Sequence, residues 1–258
     1  MFDFNTHLNT IIQCDSRNLL PEIPTESVDL IVADPPYGID YKEWDRFNNF
    51  HEFCECWVSE CFRILKSNGS FYSFMGWSNV ALFKLLLDKY GYIRNWITWE
   101  RTKGRGSSMN FKSMKEEILY YTKSKKDFVF NEQKMLKKHV IPYTKNGKPR
   151  GWFTNEEGVK CRWTGVGNVW HYIVPFFAMK EWIGHPSQKP EMMIERIILT
   201  SSNKGDIVLD PFSGSGTTAV VSRRLNRRFL CIEKNKEYYD KSVERLNKET
   251  QSQKDRIF

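Results

Sequence analysis

The stretch of sequence that decides the fold is DIVLDPFSGSGTT, residues 206–218. Its first part, Asp206 to Asp210, contains an apolar run from Ile207 to Leu209 closed by an acid, which is typical of a strand buried on both faces of a parallel sheet. A glycine-rich turn follows, and Thr217 begins a run with the apolar spacing of a helix. A strand, an acid, a glycine-rich turn and a helix in succession predict a site for a nucleoside cofactor.

The turn offers the groups that such a ligand needs. Gly214 and Gly216 allow close backbone approach and positive φ, and the helix that begins near Thr217 presents free N–H groups to a carboxylate. Glu233 lies 23 residues after Asp210, at the end of the next predicted strand, where an acid can accept hydrogen bonds from ribose hydroxyls. The chain has neither GxGxxG nor GxxxxGK[ST], which argues against dinucleotide and P-loop sites. A tight turn that only packs is the alternative.

A second motif, DPPY at residues 34–37, follows another buried run, Val28 to Ala33. Its two prolines remove N–H donors and stiffen the backbone, so the corner presents only acceptors, the Asp34 carboxylate and the Pro35 carbonyl. Two fixed acceptors suit an amino group that donates two hydrogens and becomes positive as it attacks. Tyr37 can stack on the base that carries the amine. The alternative is a strand-end turn with an exposed tyrosine.

The rest of the chain predicts an α/β fold with a largely parallel sheet, because strands and helices alternate. Apolar spacing predicts helices over 50–65, 78–90, 191–201 and 235–248, and strands over 10–14, 70–75, 92–99, 116–122 and 229–233. Asn68-Gly69 is expected to end the first of these helices. From 101 to about 184 the pattern loosens, which indicates a long insertion.

Composition limits the class of protein. The 258 residues carry a net charge of +8, no apolar run is long enough to span a membrane, and the N-terminus lacks a signal-peptide pattern. Six cysteines without a secretory signal predict reduced thiols in a cytoplasm. Residues 101–150 hold 14 Lys/Arg against 4 Asp/Glu. That segment predicts either a polyanion surface or a solvated lysine-rich face.

With both motifs identified, the chain resembles the S-adenosylmethionine-dependent amino-methyltransferases of DNA. DPPY precedes DPFSGSGTT and a basic segment separates them, which is similar to the β-group of adenine-N6 and cytosine-N4 enzymes of restriction–modification systems. HPSQKP at 185–190 is similar to the HPTQKP signature of that family, and GNVW at 167–170 is similar to the stretch before it. The resemblance runs from about residue 10 to 247.

The resemblance implies a methyltransferase-type, Rossmann-like α/β fold. Its mostly parallel, seven-stranded sheet would be in circularly permuted order, with a target-recognition insertion. Residues 1–122 would form the catalytic half, 123–184 the target-recognition region and 185–258 the cofactor-binding half.

It also implies a role for each motif residue. Asp34, Pro35, Pro36 and Tyr37 would hold the target base. S-adenosyl-L-methionine would be bound by Asp15, Ser187, Lys189, Asp210, Pro211, Phe212, Ser213, Gly214, Ser215, Gly216, Thr217, Thr218 and Glu233. Within that set, Glu233 would bind the ribose, Phe212 would lie against the adenine, and Asp15 would contact the adenine amine. Ser187 and Lys189 would meet the methionine carboxylate.

The activity implied is site-specific transfer of a methyl group to N6 of an adenine flipped out of double-stranded DNA. Cytosine-N4 is the nearest alternative, because those relatives often carry Ser where this chain has Asp34. A non-catalytic DNA-binding subunit is the alternative from another class, and transfer to RNA or protein amines is a third. Double-stranded DNA, a cognate restriction endonuclease and a second copy of the chain are the expected partners, in the cytoplasm.

Other candidate residues carry weaker signals. Cys54, Cys56 and Cys61 lack the spacing of a zinc site, so no metal is expected and buried thiols are predicted for Cys54 and Cys61. Glu116 and Glu117 could suggest acid–base chemistry, but neighbours in a strand face opposite sides of the sheet.

Overall fold

Strands and helices alternate through the first and last parts of the chain, as the apolar patterns predict. The computed structural model describes residues 2–105, 108–109, 111–138, 144–146, 148–149 and 151–255. The strands are β1 Thr10–Gln13, β2 Val28–Ala33, β3 Leu65–Met75, β4 Tyr92–Arg105, β5 Ser113–Thr122, β6 Lys134–Lys138, β7 Thr144–Lys145, β8 Lys148–Pro149, β9 Trp152–Thr154, β10 Lys160–Gly165, β11 Val169–His171, β12 Ile207–Asp210 and β13 Arg228–Glu233. The helices are α1 Ser16–Leu19, α2 Phe50–Ile64, α3 Val80–Leu87, α4 Glu191–Ser201, α5 Thr217–Arg224 and α6 Lys236–Asp255.

The large sheet has the order β1-β13-β12-β2-β3-β5-β4-β11. Among its described strands only β5 runs against the others, since it pairs antiparallel with both β3 and β4. The prediction of a mostly parallel α/β sheet is therefore confirmed. The sheet has eight strands where seven were expected, because β11, which lies in the predicted insertion, pairs in parallel with β4. The circularly permuted order stays a prediction.

The two sequence motifs end neighbouring strands at the centre of this sheet. All four residues of β12 are buried, and β12 pairs in parallel with β2 through Val208 opposite Leu30 and Leu209 opposite Ile31. Parallel strands present their carboxyl ends at one edge. Asp210, the last residue of β12, and Asp34, the residue after β2, therefore lie at the same edge of the sheet.

Alternate side chains of the central strands enter two core layers, one on each face of the sheet. On one face Trp57 of α2 is fully buried, with ring centroids 5.8 Å from Phe83 and 5.0 Å from Phe212. On the other face α4 and α5 cover the sheet through residues such as Ile197 and Val220. Phe212 of the glycine-rich turn packs against the first layer, so core packing helps to fix the turn.

The expected end of helix α2 at Asn68-Gly69 is wrong. The helix ends at Ile64, and the chain continues directly into β3, which contains both residues. Gly69 meets a different requirement, because a Cβ there would lie 2.6 Å from the Leu65 side chain and 3.0 Å from the Asp29 carbonyl oxygen. The glycine permits close approach inside a sheet rather than a helix cap.

The basic middle segment is divided between two places. Lys123, Lys125 and Lys126 follow β5 where Thr122 pairs with Ser70, at the edge of the sheet opposite to Asp34. Lys134, Lys137 and Lys138 lie on β6, in a three-stranded sheet with β10 and β9. The remainder of the predicted surface includes 106–107, 110, 139–143, 147 and 150, which lie outside the described residues. Lys123 donates to the Leu65 carbonyl at 2.7 Å and so acts within the fold.

Three further sequence predictions concern the cysteines, a membrane span and a metal site. Cys54 and Cys61 are buried, as predicted, and the six cysteines are free thiols. No described helix combines the length and apolar character needed to cross a membrane. Through the described ranges no cluster of His, Cys, Asp and Glu could hold a metal ion.

Two neighbouring leucines of α3 test the core. Leu86 is 1% exposed and Leu85 is 63% exposed. Leu86→Ala should lower the free energy of unfolding by about 2–5 kcal/mol, the usual range for a buried leucine. Leu85→Ala, with the same chemistry on the same helix, should change it by less than about 0.5 kcal/mol. Urea unfolding of both variants is the measurement, and equal losses would contradict this placement of the helix.

Candidate functional site

A cavity of about 880 Å³ opens at the carboxyl edge of the central strands. The DPPY corner and the glycine-rich turn both line it, together with four residues of the HPSQKP segment and six of the residues between 39 and 47. Of the residues predicted for the site, all except Gly216 are among its lining. The structure therefore brings the two predicted half-sites into one space, although how each residue meets a ligand stays a prediction.

The glycine-rich turn adopts backbone angles that its sequence allows. Gly214 and Gly216 have φ of +50° and +72°, in the region that favours glycine. A Cβ at Gly214 would lie 3.1 Å from the His185 ring, and one at Gly216 would lie 2.8 Å from Cβ of Ser242 in α6. Gly214 borders the cavity, whereas Gly216 lets α6 pack behind the turn.

Two carboxylates fasten this turn. Asp210 accepts hydrogen bonds from Phe212 N at 2.9 Å and Thr218 Oγ1 at 2.6 Å. Burial raises the pKa of Asp210 to about 7, against the lowering effect of these two bonds. Glu233 accepts from Gly214 N and Asn235 N, both at 2.7 Å, and burial raises its pKa as well. Both acids therefore shape the turn and face the cavity.

A buried arginine supports the turn from behind, and the sequence did not single it out. Arg245 of α6 donates from Nη1 to Ser215 O and Thr217 Oγ1, each at 3.0 Å. Its Nη2 donates to Glu191 at 2.6 Å, and Arg224 binds the other oxygen of Glu191 at 2.8 Å. An arginine on an amphipathic helix is normally predicted to be a surface charge, so no sequence signal indicates that Arg245 supports the turn.

The DPPY corner forms a compact polar cluster. Asp34 Oδ1 accepts from the Tyr37 hydroxyl at 2.8 Å, and Oδ2 accepts from Lys189 Nζ at 2.6 Å. Burial raises the pKa of Asp34, and the Lys189 ammonium is the strongest opposing influence. Burial together with the nearby Asp34 charge raises the pKa of Tyr37 well above its usual range. The Lys189 ammonium, expected at the methionine carboxylate, thus lies at the DPPY corner.

The corner also includes residues that the sequence did not assign to the site. The Tyr37 hydroxyl lies 3.2 Å from Glu116 Oε2, and Arg101 Nη1 lies 2.7 Å from Glu116 Oε1. Glu117 faces the other side of the sheet, where Trp96 Nε1 donates to it at 2.8 Å. The opposite orientation of the two glutamates is confirmed. Because side chains alternate along a strand, the sequence predicted that the two glutamates face opposite sides of the sheet. It could not tell which of them faces the cavity.

The segment after DPPY is held by one buried acid, Asp45. It is 1% exposed and accepts three backbone hydrogen bonds, from Gly38, Ile39 and Tyr41, at 2.8 to 3.1 Å. Trp44, beside it in sequence, lines the cavity. Asp45 thus folds the segment against the DPPY corner. In the sequence it is one of several charged residues in a polar stretch, which is why it was not predicted.

Asp15, which was expected to contact the adenine amine, and the nearby cavity residue His185 are also held in place by their neighbours. Asp15 caps α1, and the Arg17 side chain, which binds both of its oxygens at 3.0 and 2.7 Å, holds the pKa of Asp15 well below its usual range. Lys234 Nζ lies 3.0 Å from the same carboxylate. His185 packs edge-on against Tyr238 at 4.3 Å, and burial lowers its pKa to about 4, so the ring is neutral near pH 7.

Comparison with known proteins identifies the class. A family described as DNA methylase, the N6 and N4 enzymes, matches residues 28–244. The chain therefore belongs to the DNA methylase family, and the resemblance inferred from its motifs is confirmed.

Individual relatives agree with this class. The chain is 38% identical to the type II methyltransferase M.HpaI of Haemophilus parainfluenzae, over 93% of this chain and 74% of the relative. It is 37% identical to the DNA adenine methyltransferase YhdJ of Escherichia coli K12, over 95% and 84%. The crystal structure of the M1.HpyAVI–SAM complex superposes with a TM-score of 0.65 at 23% identity, covering 92% and 98%. The fold is thus of the methyltransferase type.

A pair of glycine variants tests the cofactor side. Gly214→Ala places a Cβ against His185 at the cavity wall, whereas Gly158 has φ of +77° with nothing within 4 Å of the added Cβ. Gly214→Ala and Gly158→Ala each strain the backbone by roughly 1–2 kcal/mol, because alanine disfavours a positive φ. Only Gly214→Ala should weaken S-adenosylmethionine binding, by about tenfold or more, which corresponds to about 1.4 kcal/mol. Calorimetric titration measures this, and equal affinity in both variants would remove Gly214 from the binding site.

Proposed function

We propose that this protein transfers a methyl group from S-adenosyl-L-methionine to N6 of adenine at a specific sequence in double-stranded DNA. One observation carries the proposal: the acceptor-only corner at Asp34–Pro35 and the glycine-rich turn at 211–215 share one cavity. An amine held at the corner and a methyl donor held by the turn would therefore meet inside it. The name of the relative YhdJ, an adenine methyltransferase at 37% identity, supports adenine as the base.

The cofactor side fits the proposed donor. Gly214 provides a surface without a side chain, and Glu233 provides a carboxylate at the end of the neighbouring strand for ribose hydroxyls. Phe212 supplies a flat apolar wall, held edge-on by Trp57. Bound S-adenosylmethionine supplies an electrophilic methyl group on a sulfonium. Ser187 and Thr217, which also line the cavity, complete the proposed set.

The catalytic side is built to activate an amine. The N6 lone pair is delocalised into the ring, so the nitrogen is a poor nucleophile until it becomes pyramidal. Asp34 and the Pro35 carbonyl would each accept one of its hydrogens, and the two prolines offer no competing donor. Positive charge would grow on the nitrogen as it takes the methyl group, and the Asp34 carboxylate would lie beside that charge. The extra proton would then pass from the nitrogen to water, which would leave the neutral methylamine.

The flipped base needs a surface to stack on. Tyr37 follows the prolines, and Gly76 lies against its ring, where a Cβ would come within 3.2 Å. The ring is therefore held at a fixed depth in the cavity. Stacking on an aromatic side chain is the usual way in which an extruded base is retained.

Three further parts of the proposal concern partners and location. A cognate restriction endonuclease, association into a homodimer and a cytoplasmic location all belong to it. The similarity to type II methyltransferases such as M.HpaI supports the first of them. Sedimentation of the purified protein with and without DNA tests the dimer.

The reaction itself is tested by mass spectrometry of nucleosides from DNA treated with the protein and S-adenosylmethionine. N6-methyladenine is expected. N4-methylcytosine instead would assign the alternative base, and no methylated nucleoside with tight DNA binding would assign a non-catalytic subunit. Single-molecule sequencing of the same DNA would give the recognition sequence.

The Asp34 prediction separates binding from chemistry. Asp34→Ala removes the charged acceptor that acts mainly as the nitrogen becomes positive, so single-turnover methyl transfer should fall by about 10²–10³-fold. Affinities for cofactor and DNA should change little. Asp34→Asn keeps one acceptor oxygen, so its rate of methyl transfer should lie between those of wild type and Asp34→Ala. A loss below about tenfold in Asp34→Ala would leave residues 34–37 with a structural role only.

A further inference from the structure

The buried ammonium of Lys189 lies where the DPPY corner and strand β5 meet. Its Nζ is 2.6 Å from Asp34 Oδ2, 3.4 Å from the Tyr37 hydroxyl and 3.5 Å from Glu116 Oε2. The side chain is 7% exposed, and its Nζ stands 4.9 Å from the centre of the Phe74 ring. A lysine enclosed in this way is held by its partners rather than by water.

The surroundings explain why such a cation is needed. A carboxylate that is largely withdrawn from water is driven toward its neutral form by desolvation, and a neutral Asp34 would lose the charge that favours the attacking amine. An ammonium at hydrogen-bonding distance opposes that effect. The Glu116 carboxylate, a like charge, raises the pKa of Asp34. It also lies 3.5 Å from the Lys189 ammonium and so competes with Asp34 for that cation. Arg101 binds the outer oxygen of Glu116 and so offsets part of its charge.

We propose that Lys189 is a positioning residue for methyl transfer: it holds Asp34 anionic and oriented toward the target amine, and Glu116 with Arg101 sets how strongly it does so. This inference rests on the proposed function of Asp34. It assigns Lys189 to the catalytic corner in place of the methionine carboxylate.

The backbone of the same residue connects the two halves of the site. Thr217 Oγ1, at the first position of α5, donates to the Lys189 carbonyl oxygen at 3.3 Å. Arg245 donates to the same hydroxyl oxygen at 3.0 Å. One residue therefore contacts the helix that follows the cofactor turn through its carbonyl and the catalytic carboxylate through its side chain. A shift of the turn would be passed directly to Asp34.

The other ionisable groups around Asp34 leave Lys189 as its direct cationic partner. Tyr37 is neutral and donates to Oδ1, and His185 is neutral near pH 7. Asp210 is an acid on the neighbouring strand, and Asp34 contributes to the raised pKa of Asp210. Among the described residues, the net effect of the acids is to favour protonation of Asp34, and the ammonium counters it.

The test is the pH dependence of single-turnover methyl transfer with saturating cofactor and DNA. Wild type, Lys189→Met, Lys189→Arg and Glu116→Gln are compared. Loss of the cation in Lys189→Met should move the acid limb to higher pH by about one unit or more, because an adjacent cation lowers an aspartate pKa by about 1–3 units. Lys189→Arg keeps the charge and should restore most of the wild-type limb. Glu116→Gln should move the limb to lower pH.

Controls separate this effect from a general loss of structure. Lys89→Met removes an exposed lysine paired with Glu55 and should leave the profile unchanged. The pH dependence of cofactor affinity, which Asp210 influences, should be the same in Lys189→Met and wild type. A uniform rate loss at all pH values in Lys189→Met, without a shifted limb, would overturn the inference. Should that variant not fold, an unshifted limb in Glu116→Gln would overturn it equally.

Failure of the proposed function has a different signature. Wild-type protein that transfers no methyl group at any pH would contradict the activity itself. Wild-type transfer with unshifted limbs in the variants would contradict only the role of Lys189.

Discussion

The parallel pairing of β12 with β2 is the constraint on which the rest of the site depends. Side chains alternate along both strands, and the register of Leu209 opposite Ile31 brings both strands to an end at the same edge. A shift by one residue would turn the apolar side chains to the wrong layers and separate Asp210 from Asp34. Burial of these strands on both faces makes such a shift very unfavourable, so the core fixes the distance between cofactor turn and catalytic corner.

A second common feature is the use of carboxylates as acceptors for backbone N–H groups. Asp210, Glu233 and Asp45 each fix a segment that lines the cavity. Loops at the edge of a sheet lack the ladder of hydrogen bonds that holds strands, so they need other partners. A charged acceptor makes stronger bonds than a neutral one. The loops are therefore ordered by the same class of residue that performs the proposed chemistry.

The strands, helices and both motifs could be predicted because they depend on local rules: apolar runs, helical spacing, and the special backbones of glycine and proline. The contacts that could not be predicted join residues that lie far apart in the sequence. Lys189 meets Asp34 across 155 residues, and Glu116 reaches Tyr37 across 79. The Asn68-Gly69 helix end was wrong because Gly69 serves a contact with Asp29 that local sequence does not reveal. The eighth strand, β11, pairs Val169 with Thr98 of β4, which is another contact between distant parts of the chain.

The buried carboxyl of Asp210 has a thermodynamic consequence for the whole protein. Its pKa is near 3.8 in an unfolded chain and about 7 in the fold, so the folded state binds its proton more tightly. The group therefore favours the folded state most below pH 3.8, and this contribution declines as the pH rises toward 7. Above that pH the folded protein holds a charge that water would solvate better. The carboxyl that the proposed cofactor site requires thus contributes least to the stability of the fold above its own pKa of about 7.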